Sequence, residues 1–253
     1  MKIFALFSKV LIIISLLFPH VLTGQSAAEI VKRADDKMRG ESSGISTMRM
    51  QVIRPTWERT IEFKSWSKGT DKSMVLITAP AKEKGQSFLK TGREMWNWNP
   101  TISRTIKLPP SMLSQGWMGS DLTNDDVLNQ SSIVTDYSHR ITGSGRLEER
   151  DCHVIELIPK DDAAVVWGKV ILWITKNDYN ILKSEYFDED EYLVKTEIAA
   201  KIKNMGGRTI PTEFKLIPAD EENQETRLIL IDIQFNVPID DSFFSIQNMK
   251  KLH

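Results

Sequence analysis

Residues 92–128, GREMWNWNPTISRTIKLPPSMLSQGWMGSDLTNDDVL, combine two features that constrain the rest of the chain. A strand-like segment around Trp96 and Trp98 precedes a loop, residues 109–119, that Pro and Gly keep from forming a regular element. The loop nevertheless carries large apolar side chains: Met112, Leu113, Trp117 and Met118. A long loop with an apolar face must lie over other apolar surface. Two interpretations remain open: a plug that fills the end of a β-sheet core, and a lid that closes over a cavity.

The N-terminal residues 1–24 resemble a secretory signal, because Lys2 and Lys9 precede an apolar run over residues 10–18 that is too short to span a bilayer. The pattern predicts a mature chain that begins near Gln25. Gln25 stands where a lipoprotein signal would require Cys. We therefore expect a soluble, monomeric periplasmic protein without a lipid anchor of its own.

Charge and chemistry exclude several classes of function. Residues 1–24 hold two of the 33 basic and none of the 34 acidic side chains, so the mature chain has a net charge of −3 and no basic footprint for nucleic acid. The single cysteine, Cys152, can form no intrachain disulfide. His139 and His153 lack ligand-spaced partners, and no nucleophile or phosphate-loop motif occurs. We expect no catalytic residues, no metal and no cofactor.

One amphipathic helix is predicted over residues 27–39. Ser26 and Glu29 form a capping-box pattern, apolar residues follow at helical spacing, and Gly40 ends the segment. A second capping pattern, Thr123 to Asp126, predicts a short helix after the 109–119 loop.

Beyond Gly44 the apolar period changes from 3.6 to 2, which predicts antiparallel strands joined by short turns. In residues 192–203 the alternation groups Tyr192, Val194, Thr196, Ile198, Ala200 and Ile202 opposite Lys195, Glu197, Lys201 and Lys203. We interpret the apolar set as the dry face. More than ten strands with one dry face must curl to bury it, so the sequence predicts one mainly β domain, residues 26–253, a closed or nearly closed barrel around the N-terminal helix.

The parity of the predicted strands selects candidate cavity residues. They are Met48, Met50, Ile61, Phe63, Met74, Leu76, Trp96 and Trp98. Methionine adapts to varied apolar shapes, which suits a cavity for acyl chains. Val75 and Ile77 are also apolar, so a shift of one residue would exchange the faces there.

Gly119 and Asp121 follow the loop directly and have two interpretations. In one interpretation, Asp121 only caps a local turn. In the other, Gly119 and Asp121 form a hinge or latch for a lid.

Residues 92–100, Gly-Arg-Glu-Met-Trp-Asn-Trp-Asn-Pro, carry a resemblance to a known family. The chain resembles the LolA-type family of periplasmic lipoprotein carriers. It is more similar to the subgroup of outer-membrane lipoprotein-sorting proteins, in which a Gly-Ser-Asp step, here residues 119–121, leads into a short acidic helix. The resemblance implies an incomplete antiparallel β-barrel, with a loop and short-helix lid, whose apolar interior holds the acyl chains of a lipoprotein or lipid. It also implies an inner-membrane transporter as donor and an outer-membrane acceptor.

The chain departs from the family at one functional position. The family's Arg-Pro step after the second long strand, whose Arg latches the lid, is replaced here by Trp66-Ser-Lys-Gly-Thr70. A free lipid or another amphiphile is therefore an alternative cargo. Two other functions remain open: a lipid- or partner-sensing module of the same fold, and an outer-membrane barrel, against which the helix, the loop and the non-aromatic C-terminus argue.

Overall fold

The computed structural model describes residues 25–40, 42–128 and 132–252; the predicted signal segment lies outside them. The helices in these ranges are α1 (Ala27–Arg39), α2 (Asn124–Leu128) and α3 (Ile246–Met249). Short 3-10 turns lie at Pro110–Met112, Trp117–Gly119 and Asp241–Phe243. The strands are β1 (Ser43–Arg54), β2 (Trp57–Lys68), β3 (Lys72–Ala79), β4 (Ser87–Thr91), β5 (Glu94–Asn99), β6 (Arg104–Leu108), β7 (Tyr137–Leu147), β8 (Arg150–Pro159), β9 (Lys169–Thr175), β10 (Ile181–Phe187), β11 (Leu193–Met205), β12 (Arg208–Pro218) and β13 (Glu225–Phe235).

These strands form a single antiparallel sheet in the order β6-β5-β4-β3-β2-β1-β13-β12-β11-β10-β9-β8-β7. Each neighbour in the order is also a neighbour in sequence, except where β1 pairs with β13 and joins the two halves of the chain. The sheet curls into a barrel that is incomplete because its edge strands, β6 and β7, do not pair with each other. The mainly β, unclosed-barrel fold expected from the sequence and the resemblance is confirmed.

Helix α1 packs inside the curled sheet. Its capping box is formed: the Glu29 amide donates to Ser26 Oγ at 3.2 Å, and the Ser26 amide donates to Glu29 Oε2 at 3.0 Å. Ile30, Val31 and Ala34 are buried against strands β7 to β9. The sheet therefore wraps the N-terminal helix, as the amphipathic pattern predicts.

The predicted dry face of β11 is wrong. Tyr192 is exposed, and Val194 and Ile198 are exposed on the strand itself, whereas Lys195 and Ala199 are buried. Glu197 on the same parity lines the interior. Strand β11 thus turns charged side chains into the barrel, where α2 and the tyrosines of β7 and β10 provide them with polar and aromatic neighbours.

The C-terminal segment covers part of the sheet from outside. Phe244 and Met249 pack with Met74 and Leu89 of β3 and β4. The Met249 carbonyl accepts a hydrogen bond from Ser87 Oγ at 2.7 Å. Strands β3 to β5 are therefore buried on both faces, unlike a sheet with one solvated side.

Candidate functional site

A cavity of about 350 Å³ lies inside the barrel. Its wall is formed by the inner face of the sheet, one side of α1 and the residues around α2. The apolar lining includes Met38, Met48, Phe63, Leu122, Val127, Phe214, Leu228, Leu230 and Ile233. This volume lies at the lower end of the range of about 300–1,000 Å³ that is usual for pockets that bury a small organic ligand.

Four of the predicted cavity residues lie on the inner face. Met48 and Phe63 line the cavity. Met50 and Ile61 are fully buried in the same apolar cluster, and do not belong to the cavity lining. Direct pairing explains the shared face, because Met48 lies opposite Phe63 and Met50 opposite Ile61 across the β1–β2 pair.

The other four, Met74, Leu76, Trp96 and Trp98, lie on the opposite face, so their predicted parity is wrong. Met74, Trp96 and Trp98 pack in the outer cluster beneath the C-terminal segment, and Leu76 pairs with Lys64 on the same side. The inner positions are Val75, Ile77, Phe88 and Met95. Both faces are apolar in β3 to β5, since the C-terminal segment buries the outer one. A period of two cannot distinguish the faces in that situation.

The 109–119 loop inserts into the mouth of the barrel. Trp117 is only 1% exposed and makes edge contacts with Phe63 and Phe88, at centroid separations of 5.3 and 5.5 Å. Leu113 is buried in the same cluster, and Met118 packs against it partly buried. Met112 is half-buried. The loop therefore places its largest side chain in the core beside β2 and β4, although Trp117 itself does not line the cavity.

Arg54, at the end of β1, holds the segment that follows the loop. Its Nη2 donates to Asp121 Oδ1 at 2.9 Å, and its Nη1 donates to Asp121 Oδ2 at 3.2 Å. Nη2 also donates to the Gly119 carbonyl at 3.0 Å. Thr226 Oγ1 donates to Asp121 Oδ2 at 2.7 Å, and the Asp121 amide donates back to that hydroxyl at 3.0 Å. Such a bidentate, mostly buried pair is a strong and directional contact.

Arg54 is not among the residues predicted from the sequence. Arg54-Pro55 does form an Arg-Pro step, but at the β1–β2 turn instead of after the second long strand. Arg59 on β2 adds a second contact, since its Nη2 donates to the Met118 carbonyl. Arg54 and Asp121 are 67 residues apart, so no local pattern in the sequence indicates this pair.

Helix α2 is anchored from inside the barrel. Thr123 and Asp126 cap it reciprocally: the Thr123 amide donates to Asp126 Oδ2 at 2.7 Å and the Asp126 amide donates to Thr123 Oγ1 at 3.0 Å. Lys195 Nζ pairs with Asp126 and donates to the Asp121 carbonyl at 3.2 Å. The same ammonium lies 4.8 Å from the ring centroids of both Trp167 and Tyr186.

Glu197 provides the cavity with a carboxyl beside this cluster. Burial raises the pKa of the Glu197 carboxyl to about 7; the nearby Lys195 ammonium opposes that shift and the Asp126 carboxylate adds to it. Burial also raises the pKa of Tyr186 well above its ordinary range. The interior is therefore apolar on one side and titratable on the other. An alternating strand pattern gave no signal of this, because polar residues at every second position ordinarily face water.

Within residues 25–40, 42–128 and 132–252, no group of three or more His, Cys, Asp or Glu is arranged to bind a metal ion. Cys152 is buried, and burial raises the pKa of its thiol, which disfavours the nucleophilic thiolate. The helices in the same ranges are all too short or too polar to cross a membrane.

Solved structures with this architecture come from several bacteria. A LolA superfamily protein from Nitrosomonas europaea has 26% sequence identity and a TM-score of 0.78, over 88% of this chain and 99% of that one. An outer membrane lipoprotein-sorting protein domain from Vibrio parahaemolyticus has 21% identity and a TM-score of 0.77, over 88% and 98%. A DUF1329 family protein from Desulfovibrio piger has 23% identity and a TM-score of 0.79, over 88% and 97%.

The unclosed barrel and these neighbours define a LolA-like protein, which confirms the resemblance seen in the sequence. A family model described as "Uncharacterized protein" matches residues 69–251, and the chain belongs to that family. No curated protein matches the chain.

Proposed function

We propose that the chain is a periplasmic carrier that encloses acyl chains of a lipoprotein or lipid for transfer between the inner and outer membranes. The observation that carries the proposal is the largely apolar cavity inside the barrel. Phe63, which lines it, also contacts Trp117 of the 109–119 loop. The LolA-superfamily neighbours support a binding fold, and one of them is a lipoprotein-sorting domain by its description.

A cavity inside the barrel fits the energetic requirement of such a carrier. Each CH₂ group moved from a membrane into water costs about 0.8 kcal/mol, so an acyl chain of about 16 carbons loses about 12 kcal/mol. An external groove would leave much of that surface wet. The cavity in the closed state suits one small amphiphile, so larger cargo would require the 109–119 loop to withdraw.

The proposal predicts that filling the cavity abolishes binding. Leu230 lines the cavity, whereas its neighbour Ile231 is 42% exposed on the outer face of β13. Leu230→Trp should reduce the affinity for an uncharged fluorescent apolar probe, N-phenyl-1-naphthylamine, at least about tenfold, because the indole occupies ligand volume. Ile231→Trp, the matched control, should bind as the wild type does.

Circular dichroism and the thermal midpoint establish whether each variant folds. If Leu230→Trp folds poorly, the smaller substitution Leu230→Phe replaces it and should reduce the probe affinity to a lesser extent. Native mass spectrometry of protein released from its own envelope by osmotic shock should in addition show co-purifying lipid or acylated protein. Equal probe binding in the Leu230 and Ile231 variants would refute a carrier that uses this cavity.

A further inference from the structure

The polar side of the cavity contains one carboxyl that the fold itself does not use. Among the described residues, Glu197 makes no hydrogen bond and no ion pair, yet it lines the cavity from the middle of β11. A carboxyl turned into a largely apolar cavity without a hydrogen-bond partner loses part of its hydration, which is costly for the folded protein. A hydrogen-bond donor that enters the cavity offsets this cost and favours the ionised carboxylate.

The other charges around the cavity already have partners. Arg39 lies 3.7 Å from Asp35, and Lys195 pairs with Asp126. Neither cation is therefore available to bind an anionic group without breaking an existing ion pair. The carboxyl groups that line the cavity outnumber its lining cations: they are Asp35, Asp125, Asp126 and Glu197 against Arg39. An anionic polar group would meet repulsion, and a cationic one would balance Glu197.

The apolar lining is continuous with this polar side. Met48, Phe214 and Leu228 belong to the same cavity as Glu197 and Tyr186. A ligand that satisfies both sides is an amphiphile, with its tail against the apolar wall and its polar end at β11.

We propose that the cavity selects amphiphiles whose polar end is an ammonium group, and that Glu197 binds this group. This proposal rests on the carrier function proposed above. The ammonium donates to the Glu197 carboxylate, which is ionised in the complex. The carboxyl groups of Asp35 and Asp126 stay with their own partners. The Lys195 ammonium already lies over the rings of Trp167 and Tyr186. It holds these two side chains of the cavity wall in position and does not contact the ligand.

The test compares three ligands that share one tail: decylammonium, decanol and decyl sulfate, each below its micelle-forming concentration. Displacement of the uncharged probe N-phenyl-1-naphthylamine at pH 7.5 provides the affinities. We expect decylammonium to bind at least about tenfold more tightly than decyl sulfate, since a hydrogen bond to a buried charged group is worth about 1.5–3 kcal/mol. Glu197→Gln should weaken decylammonium about tenfold and leave decanol unchanged.

Glu213→Gln is the matched control. Glu213 lies on the neighbouring strand β12, where it pairs with Lys201 at 2.8 Å and does not line the cavity. It removes the same charge from the protein without touching the cavity, so all three affinities should match the wild type.

The outcomes separate the two proposals. Equal or tighter binding of decyl sulfate, or an unchanged decylammonium affinity in Glu197→Gln, overturns the ammonium selectivity and leaves the carrier intact. If Glu197→Gln weakens the binding of decanol and of decylammonium equally, the proposal is also overturned, because the loss then does not depend on the ammonium group. Failure of all three ligands to bind the wild type would refute the carrier function itself.

Discussion

At the scale of single residues, Glu197 shows how burial couples the interior to pH. Its neighbours are Lys195 on the same strand, Asp126 on α2 and Tyr186 on β10. The pKa of its carboxyl rises from an ordinary value of 4.5 to about 7. The folded state therefore keeps a proton that the unfolded chain releases, and this residue makes folding less favourable as the pH rises through that window, by up to about 3 kcal/mol.

Glu197→Gln should consequently raise the thermal midpoint at pH 8, by several degrees, and change it much less at pH 5. The reason is that Gln resembles the protonated carboxyl, which the folded wild type holds at low pH. Differential scanning calorimetry at both pH values measures the two shifts. The same shift at pH 5 and pH 8 would show that the effect is one of packing and does not arise from the carboxyl's titration.

At the scale of elements, the structure places Leu113 and Trp117 of the 109–119 loop in the core, so substitutions of Trp117 would affect stability and binding together. The Arg54–Asp121 pair offers a cleaner way to perturb the loop. It holds the segment from outside the cavity, and neither residue lines it. Whether the loop acts as a plug or as a lid can therefore be tested at this pair.

Arg54→Ala should loosen the loop and speed ligand exchange. Removing one partner of a buried pair leaves Asp121 uncompensated and costs about 3–5 kcal/mol. Hydrogen exchange of the amides in residues 109–123 should increase, and the probe should dissociate faster, as expected of a lid. Arg49→Ala is the control on the same strand, because the Arg49–Glu62 pair is partly exposed and worth under about 1 kcal/mol. Faster exchange of loop amides with unchanged probe dissociation would favour the plug.

At the scale of the whole molecule, the pairing of β1 with β13 joins the two halves of the chain into one sheet. The single domain that the sequence predicts over residues 26–253 should then unfold as one unit. We expect a single calorimetric transition whose calorimetric and van't Hoff enthalpies agree. Two resolved transitions, with α1 and strands β7 to β9 melting apart from β1 to β6, would contradict a single domain.

Local patterns in the sequence were sufficient to predict the first helix and the strands. Ser26 and Glu29 define the start of α1, and alternating apolar residues locate the strands, because caps and periodicities depend on a few neighbouring residues. The signature around Trp96 and Trp98 indicated the fold, although both side chains lie on the face opposite to the one expected.

Only the tertiary structure decided which face of a strand is inside and which charges meet. The outer face of β3 to β5 is buried by the C-terminal segment, more than 150 positions further along the chain, with Ser87 and Met249 separated by 162 residues. Arg54 and Asp121 are 67 residues apart, and Lys195 and Asp126 are 69 apart. A strand's own pattern records alternation but not what packs on each side, so the direction of Glu197 and Trp96 follows from long-range packing alone.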